Sequence, residues 1–226
     1  MKFLLTVITP TIGKVPELTQ LVRDFYNQTL PKGMWEHIII YDGVPDKPEW
    51  DYLESLKKDP PYNLKWLTGP AHNNDLHEGS TVCRNVGTIL SKSDYVYYAD
   101  SDDRYRSDVL ETLLKYCDDH NGVGCIQMTC SDSRMFRGDP KHWNLVPEVG
   151  TTQIKCCHFG TPCLIYKREW ALQRPWLACK DHDFIFARSI IDLCKPRIMI
   201  SHGMRVDCDG LVVRNLRDWL VSLDTR

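Results

Sequence analysis

A chain of 226 residues with 42% hydrophobic residues, 26% charged residues and a formal net charge of -2 can bury a sizeable core and reads as an ordinary soluble globular protein. That balance leaves no bulk basic surface for nucleic acid. No apolar run spans a bilayer, and the run within Met1–Pro10 is too short for a signal peptide, so the expectation is a cytoplasmic protein without an integral membrane segment, or a catalytic piece whose anchor lies elsewhere. The ten cysteines lack paired Cys-x-x-Cys spacing and are expected to be reduced core residues.

Phe3 to Thr9 is β-forming and predicts a first strand ending at Pro10-Thr11-Ile12-Gly13. Pro16 suits the first position of a helix on which Leu18, Leu21, Val22 and Phe25 share a face. Ile38 to Tyr41 predicts a second strand closing on Asp42-Gly43. Strand, helix and strand in this order make a βαβ unit, so the sheet is expected to be parallel at this end. Val44–Asp59 holds a short helix with Trp50, Leu53 and Leu56 inward, and Leu64 to Leu67 a third strand. Gly69 to Gly79, with His72, His77 and Glu78, reads as a long polar loop of the kind that lines sites. Ser80 then caps a helix with Cys83, Val86, Gly87 and Leu90 inward.

Tyr95 to Ala99 forms a short buried strand that runs directly into Asp100, Asp102 and Asp103. Carboxylates so close repel one another, and hard oxygen ligands suit Mg2+ or Mn2+. Ligands sit at the carboxyl ends of strands in open α/β sheets, so Asp100 and Asp102 are a candidate metal-diphosphate clamp. The same spacing recurs at Asp181/Asp183 and Asp207/Asp209, but only the first copy directly follows a strand signal. Further on, Ser107 caps a helix with Leu110, Leu113, Leu114 and Cys117 inward, Val123 to Thr129 is a strand, Ser131 to Thr152 is irregular, and Thr161 to Tyr166 is another strand. Lys180-Asp181-His182-Asp183 opens a helix bearing Phe184, Ala187 and Ile191, and Pro196 to Ile200 is a last strand before His202. Residues 206–226 are expected to be a C-terminal helix with Leu216, Trp219, Leu220 and Leu223 on one face.

Five stretches, Thr6 to Thr11, Asn27-Gln28-Thr29, Ile38 to Gly43, Arg84-Asn85-Val86-Gly87 and Asp100-Ser101-Asp102-Asp103, stand in the order and rough spacing of family 2 glycosyltransferases. The chain resembles that family well over its first half and thinly through Phe184. The resemblance implies an α/β GT-A fold, Rossmann-like, with a mixed, mainly parallel central sheet flanked by helices in a single domain. It implies an enzyme of the hexosyltransferase type that moves a sugar from a nucleotide-sugar donor, a UDP-sugar by default, to a hydroxyl of a glycan acceptor with inversion. GDP and dTDP sugars stay open. By resemblance, Thr9 and Pro10 wrap the nucleoside, Asp42 meets the base, and Arg84 lies beside the nucleotide and diphosphate. Asp100 and Ser101 lie on the donor, Asp102 coordinates Mn2+ or Mg2+ with Asp100 beside it, and His202 is the late histidine that reaches the cation.

Inversion needs a base for the acceptor hydroxyl. Asp181 is the implied base, with Asp183 the alternative, because Lys180 and His182 depart from the family's acid and aromatic and leave the register open by two residues. Residues 1–105 would form the nucleotide-sugar half and residues 106–205 the acceptor half, where Trp143, His158 and Trp176 are candidates for stacking under a sugar. Two other readings stay open. A metal-dependent phosphohydrolase or nucleotidyltransferase could use the same acids, although the first strand ends in Thr9-Pro10 and Gly13-Lys14 is a meagre glycine-rich loop. A non-catalytic GT-A domain could bind nucleotide or glycan without turnover.

Overall fold

The computed structural model describes residues 2–71, 76–119, 161–179 and 182–194, and the short strands 123–125, 128–130, 144–145 and 212–214. In chain order the elements are β1 (Leu5–Thr11), α1 (Val15–Tyr26), β2 (Trp35–Tyr41), α2 (Lys47–Lys58), β3 (Leu64–Thr68), α3 (Leu76–Leu90) and β4 (Tyr95–Tyr98). Then come β5 (Arg104–Tyr105), α4 (Val109–Asp119), β6 (Val123–Cys125), β7 (Met128–Cys130) and β8 (Asn144–Leu145). A 3-10 turn at Thr161–Cys163 leads into β9 (Leu164–Lys167), α5 (Arg168–Gln173), α6 (His182–Cys194) and β10 (Val212–Arg214).

The main sheet has the order β3-β2-β1-β4-β9-β6. Its first four strands are parallel, and β9 runs antiparallel to both β4 and β6. Every residue of β1 and β2 is buried, as expected where helices cover both faces. The polar residues in these strands are therefore paired. Thr6 donates to Glu36 at 3.1 Å and shares a 2.7 Å bond with Ser93, while Lys65 reaches Glu36 at 2.9 Å. His37 lies between Thr9 (2.8 Å) and the Tyr62 hydroxyl (3.0 Å), and burial pushes its pKa down to about 3, so it is a neutral core residue.

The helix faces follow the predicted periodicity in α1, where Leu18, Leu21, Val22 and Phe25 are buried, and in α4, where Leu110, Leu113, Leu114 and Cys117 are. Gly87 sets the depth of α3: a Cβ there would stand 2.4 Å from Ile8 Cγ2, so the helix rests directly on β1. That close seat lowers Arg84, one turn earlier, towards the ends of the strands.

Several expectations change. Helix α3 begins at Leu76 rather than after Ser80; Glu78 suits its first turn, and Ser80 lies inside the helix. Trp50 is exposed and meets Trp66 edge-on at 5.2 Å, while Leu90 is exposed at the end of α3. The Val123–Thr129 stretch is split between β6 of the main sheet and β7 of a second sheet, ordered β5-β10-β7-β8. Within the stretch expected as a C-terminal helix, Val212–Arg214 form strand β10, and the Leu216, Trp219, Leu220 and Leu223 face lies outside the described residues. The Pro196–Ile200 stretch lies outside them too. Among the described residues, Cys83 and Cys117 are buried free thiols, and no helix is long and apolar enough to cross a membrane.

Candidate active site

Parallel strands deliver their carboxyl ends to one edge of a sheet, and here that edge opens into a cleft of about 600 Å³. Pro10 and Thr11 reach it from β1, Asp42 from the end of β2, Ser80 and Arg84 from α3, and Asp100, Ser101 and Asp102 from the turn after β4. Residues as far apart in sequence as Pro10 and Asp102 thus share one volume because the strands β1, β2 and β4 are neighbours.

The acid turn is held on several sides. Thr11 Oγ1 donates to Ser101 Oγ at 2.9 Å and accepts from the Gly13 amide at 2.7 Å, joining the β1 turn to the β4 turn. The Asp100 carbonyl accepts from the Tyr105 hydroxyl at 2.8 Å. Burial, and then the carboxylates of Asp103, Asp100 and Asp102, hold the Tyr105 phenol well above its usual pKa, so it stays a donor. Asp102 is exposed towards the cleft and Asp103 is buried behind it.

Arg84 is the electrostatic hub. Its side chain is almost fully buried, and Nη2 donates to Asp100 Oδ1 at 2.7 Å. Nη1 faces Ser80 Oγ at 3.2 Å and His182 Nε2 at 3.3 Å, and the guanidinium lies 4.6 Å above the Trp176 ring. A guanidinium only donates, so His182 Nε2 is the acceptor and the ring is neutral in this arrangement. Trp176 is itself fixed: Asn85 Oδ1 accepts from its amide (2.8 Å), Asn85 Nδ2 donates to its carbonyl (3.0 Å), and the ring stacks on Phe186 at 4.0 Å.

Asp42 meets α3 at Gly79, where a Cβ would lie 1.8 Å from Asp42 Oδ2. The missing side chain is what lets the carboxylate stand against the first turn of the helix.

Of the residues singled out from sequence, Pro10, Asp42, Arg84, Asp100, Ser101 and Asp102 converge on the cleft. Thr9 does not line it: its hydroxyl is turned into the core and bonded to His37. Thr11, the last residue of β1, is the threonine that borders the cleft, and its place at the carboxyl end of the strand was the signal that could have found it. Asp183 sits in the first turn of α6, where its Oδ1 accepts from the Phe184 amide at 2.9 Å. Asp181, His202, His72, Trp143 and His158 lie outside the described residues. Trp176 is buried beneath Arg84 rather than offered as a sugar platform, because a cation above and an aromatic below occupy both of its faces.

Asp100 and Asp102 supply hard oxygens of the type that Mg2+ or Mn2+ takes alongside phosphate oxygens, so the donor set fits such an ion. Among the described residues no group of three or more His, Cys, Asp or Glu stands assembled around a metal position. A cation there would draw its remaining ligands from phosphate and water, as Mg2+ commonly does.

Known proteins share both sequence and fold with this chain. TarP of Staphylococcus aureus, a poly(ribitol-phosphate) beta-N-acetylglucosaminyltransferase, is 32% identical over 116 residues, covering 51% of this chain and 33% of TarP. Residues 1–349 of S. aureus TarS in complex with UDP superpose with a TM-score of 0.65 at 20% identity, over 85% of this chain and 56% of that one. The mannosyltransferase PcManGT of Pyrobaculum calidifontis, solved with GDP-Man and Mn2+, gives 0.64 at 16% identity over 85% of this chain and 53% of its own. The chain therefore spans roughly a third to just over half the length of these proteins. The two solved structures share its mainly parallel, helix-flanked sheet, the GT-A architecture. The description "Glycosyl transferase family 2" matches residues 6–174, about three quarters of the sequence, and on that match and this fold the chain belongs to family 2 of the glycosyltransferases.

Proposed function

We propose that the chain is an inverting glycosyltransferase that moves a hexosyl group from a UDP-sugar to a hydroxyl of a glycan acceptor. The observation that carries this reading is the convergence of Asp42, Arg84, Asp100 and Asp102 on one cleft at the carboxyl ends of the parallel strands. UDP is the nucleotide to test first, since TarS was solved with it, and N-acetylglucosamine is the first sugar, since TarP is named for its transfer. The polymer that TarP's name specifies makes a polyol-phosphate chain the first acceptor to try.

In this reading Pro10 and Thr11 border the nucleoside, and Asp42 accepts hydrogen bonds from the base. Asp102 and Asp100 would hold Mn2+ or Mg2+. That ion supplies Lewis-acid stabilisation of the charge growing on the departing diphosphate. Arg84, a buried cation beside Asp100, adds a fixed positive field on the same side of the cleft, where preorganised charge costs no reorganisation. Asp181, or Asp183 in the first turn of α6, takes the acceptor's proton as its oxygen attacks the anomeric carbon. Residues 1–105 serve the donor and residues 106–205 the acceptor, with His202 a further candidate ligand to the ion.

The test is a thermal-shift panel of UDP, GDP, dTDP and their sugar conjugates, with Mn2+ and with EDTA. Stabilisation by UDP and one UDP-sugar, dependent on Mn2+ and lost in Asp102→Ala, is expected. Stabilisation by metal alone, with no response to any nucleotide, would favour a phosphohydrolase. Asp181→Asn and Asp183→Asn, assayed for transfer with donor binding measured alongside, identify the base: the variant that binds donor but fails to transfer lacks it.

A further inference from the structure

We infer that the C-terminal part of α1 is a clasp that sets the conformation of the Asp100–Asp103 turn, with Asp24 and Tyr105 as its positioning residues. The consequence for donor binding rests on the reading of that turn given above; the clasp itself does not.

Asp24 lies on the buried side of α1, only 6% exposed, and its carboxylate serves the far side of the acid turn. It accepts from Arg104 Nε at 2.7 Å and Nη2 at 2.9 Å, a two-pronged pair, and from the Tyr105 amide at 3.0 Å. Gln20 Nε2, one turn earlier on the same helix, adds a bond at 2.8 Å. Gln28, one turn after Asp24, continues the seam: Nε2 donates to the Arg106 carbonyl at 2.7 Å, and Oε1 accepts from the Leu110 amide at 3.2 Å. The Thr29 amide donates to the Ser107 carbonyl at 2.7 Å.

Buried backbone groups need partners, and residues 104–110 contain only a two-residue strand and the start of a helix to supply them. Helix α1 supplies the rest. The seam reaches the acids through Tyr105, whose ring packs 4.9 Å from Phe25 and whose hydroxyl donates to the Asp100 carbonyl at 2.8 Å. That bond fixes the peptide plane from which the Asp100 and Ser101 side chains leave. A site works only when its groups are held within about 0.5 Å of the productive geometry, and a short acid turn cannot hold itself. Neither Asp24 nor Tyr105 lines the cleft, so both act through the turn.

The experiment compares Tyr105→Phe, which removes one hydroxyl and keeps the ring, with Asp24→Asn. Amide hydrogen exchange of the ligand-free protein and UDP titration in Mn2+ and in EDTA are measured on both. Exchange at residues 99–103 should quicken about fivefold in Tyr105→Phe, the worth of one hydrogen bond, while amides of β1 and β2 exchange as before. UDP affinity should fall about fivefold in Mn2+ and stay unchanged in EDTA. Asp24→Asn should do the same to a larger degree. Unchanged exchange at 99–103 together with unchanged Mn2+-dependent affinity in Tyr105→Phe overturns the clasp, whatever Asp24→Asn does to folding. If the wild-type protein binds no UDP in Mn2+, the donor reading falls instead, and the exchange data alone decide the clasp.

Discussion

Gly79→Ala should separate stability from donor binding. Alanine is favoured over glycine by about 1 kcal/mol inside a helix, so the substitution should leave α3 as stable as before or slightly more so. The new methyl, however, would lie 1.8 Å from Asp42 Oδ2, where no Cβ can sit. The obstructing atom is the end of a short side chain rather than backbone, so Asp42 yields by rotating, and its oxygen must withdraw by about 1.2 Å to reach even a tight 3.0 Å contact. Hydrogen bonds operate over a window of about 0.5 Å, so a displacement of that size breaks whatever bond the carboxylate makes to a base. A bond to a charged group is worth about 1.5–3 kcal/mol, which converts to a loss of roughly 10- to 150-fold in UDP affinity. Calorimetric titration with UDP, alongside a thermal melt of the ligand-free variant, reads both quantities. Wild-type UDP affinity in Gly79→Ala, or a loss of affinity accompanied by equal loss of fold stability, would refute the reasoning.

Gly87→Ala is the contrasting case. Its methyl would stand 2.4 Å from Ile8 Cγ2 inside the core, so overpacking of about 1–3 kcal/mol should outweigh the helix preference and lower the denaturation midpoint without changing UDP affinity except through stability. Arg84→Ala leaves Asp100 facing a partly buried vacancy; because Asp100 keeps some exposure, the expected destabilisation is about 2 kcal/mol, below the figure for a fully buried pair, and an unchanged urea midpoint would contradict the hub role. His37 gives a pH signature. Its folded pKa of about 3 lies below the ordinary 6.5, so below pH 6.5 the unfolded chain takes up a proton that the folded chain refuses. This contribution is complete above pH 6.5 and falls as pH drops from there towards 3, by about 2 kcal/mol between pH 7 and 5. His37→Gln should flatten that part of the denaturation curve, and an equally steep curve in the variant would assign the pH dependence to other groups.

The parts of the fold legible in the sequence are those that local periodicity encodes. The all-buried runs of β1 and β2 and the faces of α1 and α4 follow from which residues can share a side. The acid turn was legible because a strand signal aims it at the edge where ligands sit. What stayed hidden depends on pairing between distant segments. The antiparallel insertion of β9 between β4 and β6 leaves no mark in a four-residue strand, and α5, at six residues, is too short to show a period. Asp24 looked like any polar residue on a helix, yet its partners lie eighty positions away. Trp176 looked like a platform for sugar because an isolated tryptophan carries no sign of what covers it, and only the fold brings Arg84 and Phe186 to its two faces.

Arg84 also explains why the start of α6 stands where it does. The first turn of α6 meets Arg84 from far along the chain, and a link among the described residues is His182 Nε2 against Arg84 Nη1 at 3.3 Å. Since the guanidinium keeps its protons, the link exists only while His182 offers a lone pair, and a protonated ring would set two cations at that distance. The same guanidinium binds Asp100, so the first turn of α6 and the acid turn after β4 share one buried charge. Donor-side and acceptor-side residues in the proposed reaction are thereby referenced to a common point, and the Trp176 ring and the Asn85 amide pair beneath hold that point still. The histidine at 182 serves packing and charge together: its ring lies 5.8 Å from that of Trp176, and one of its nitrogens accepts from the hub.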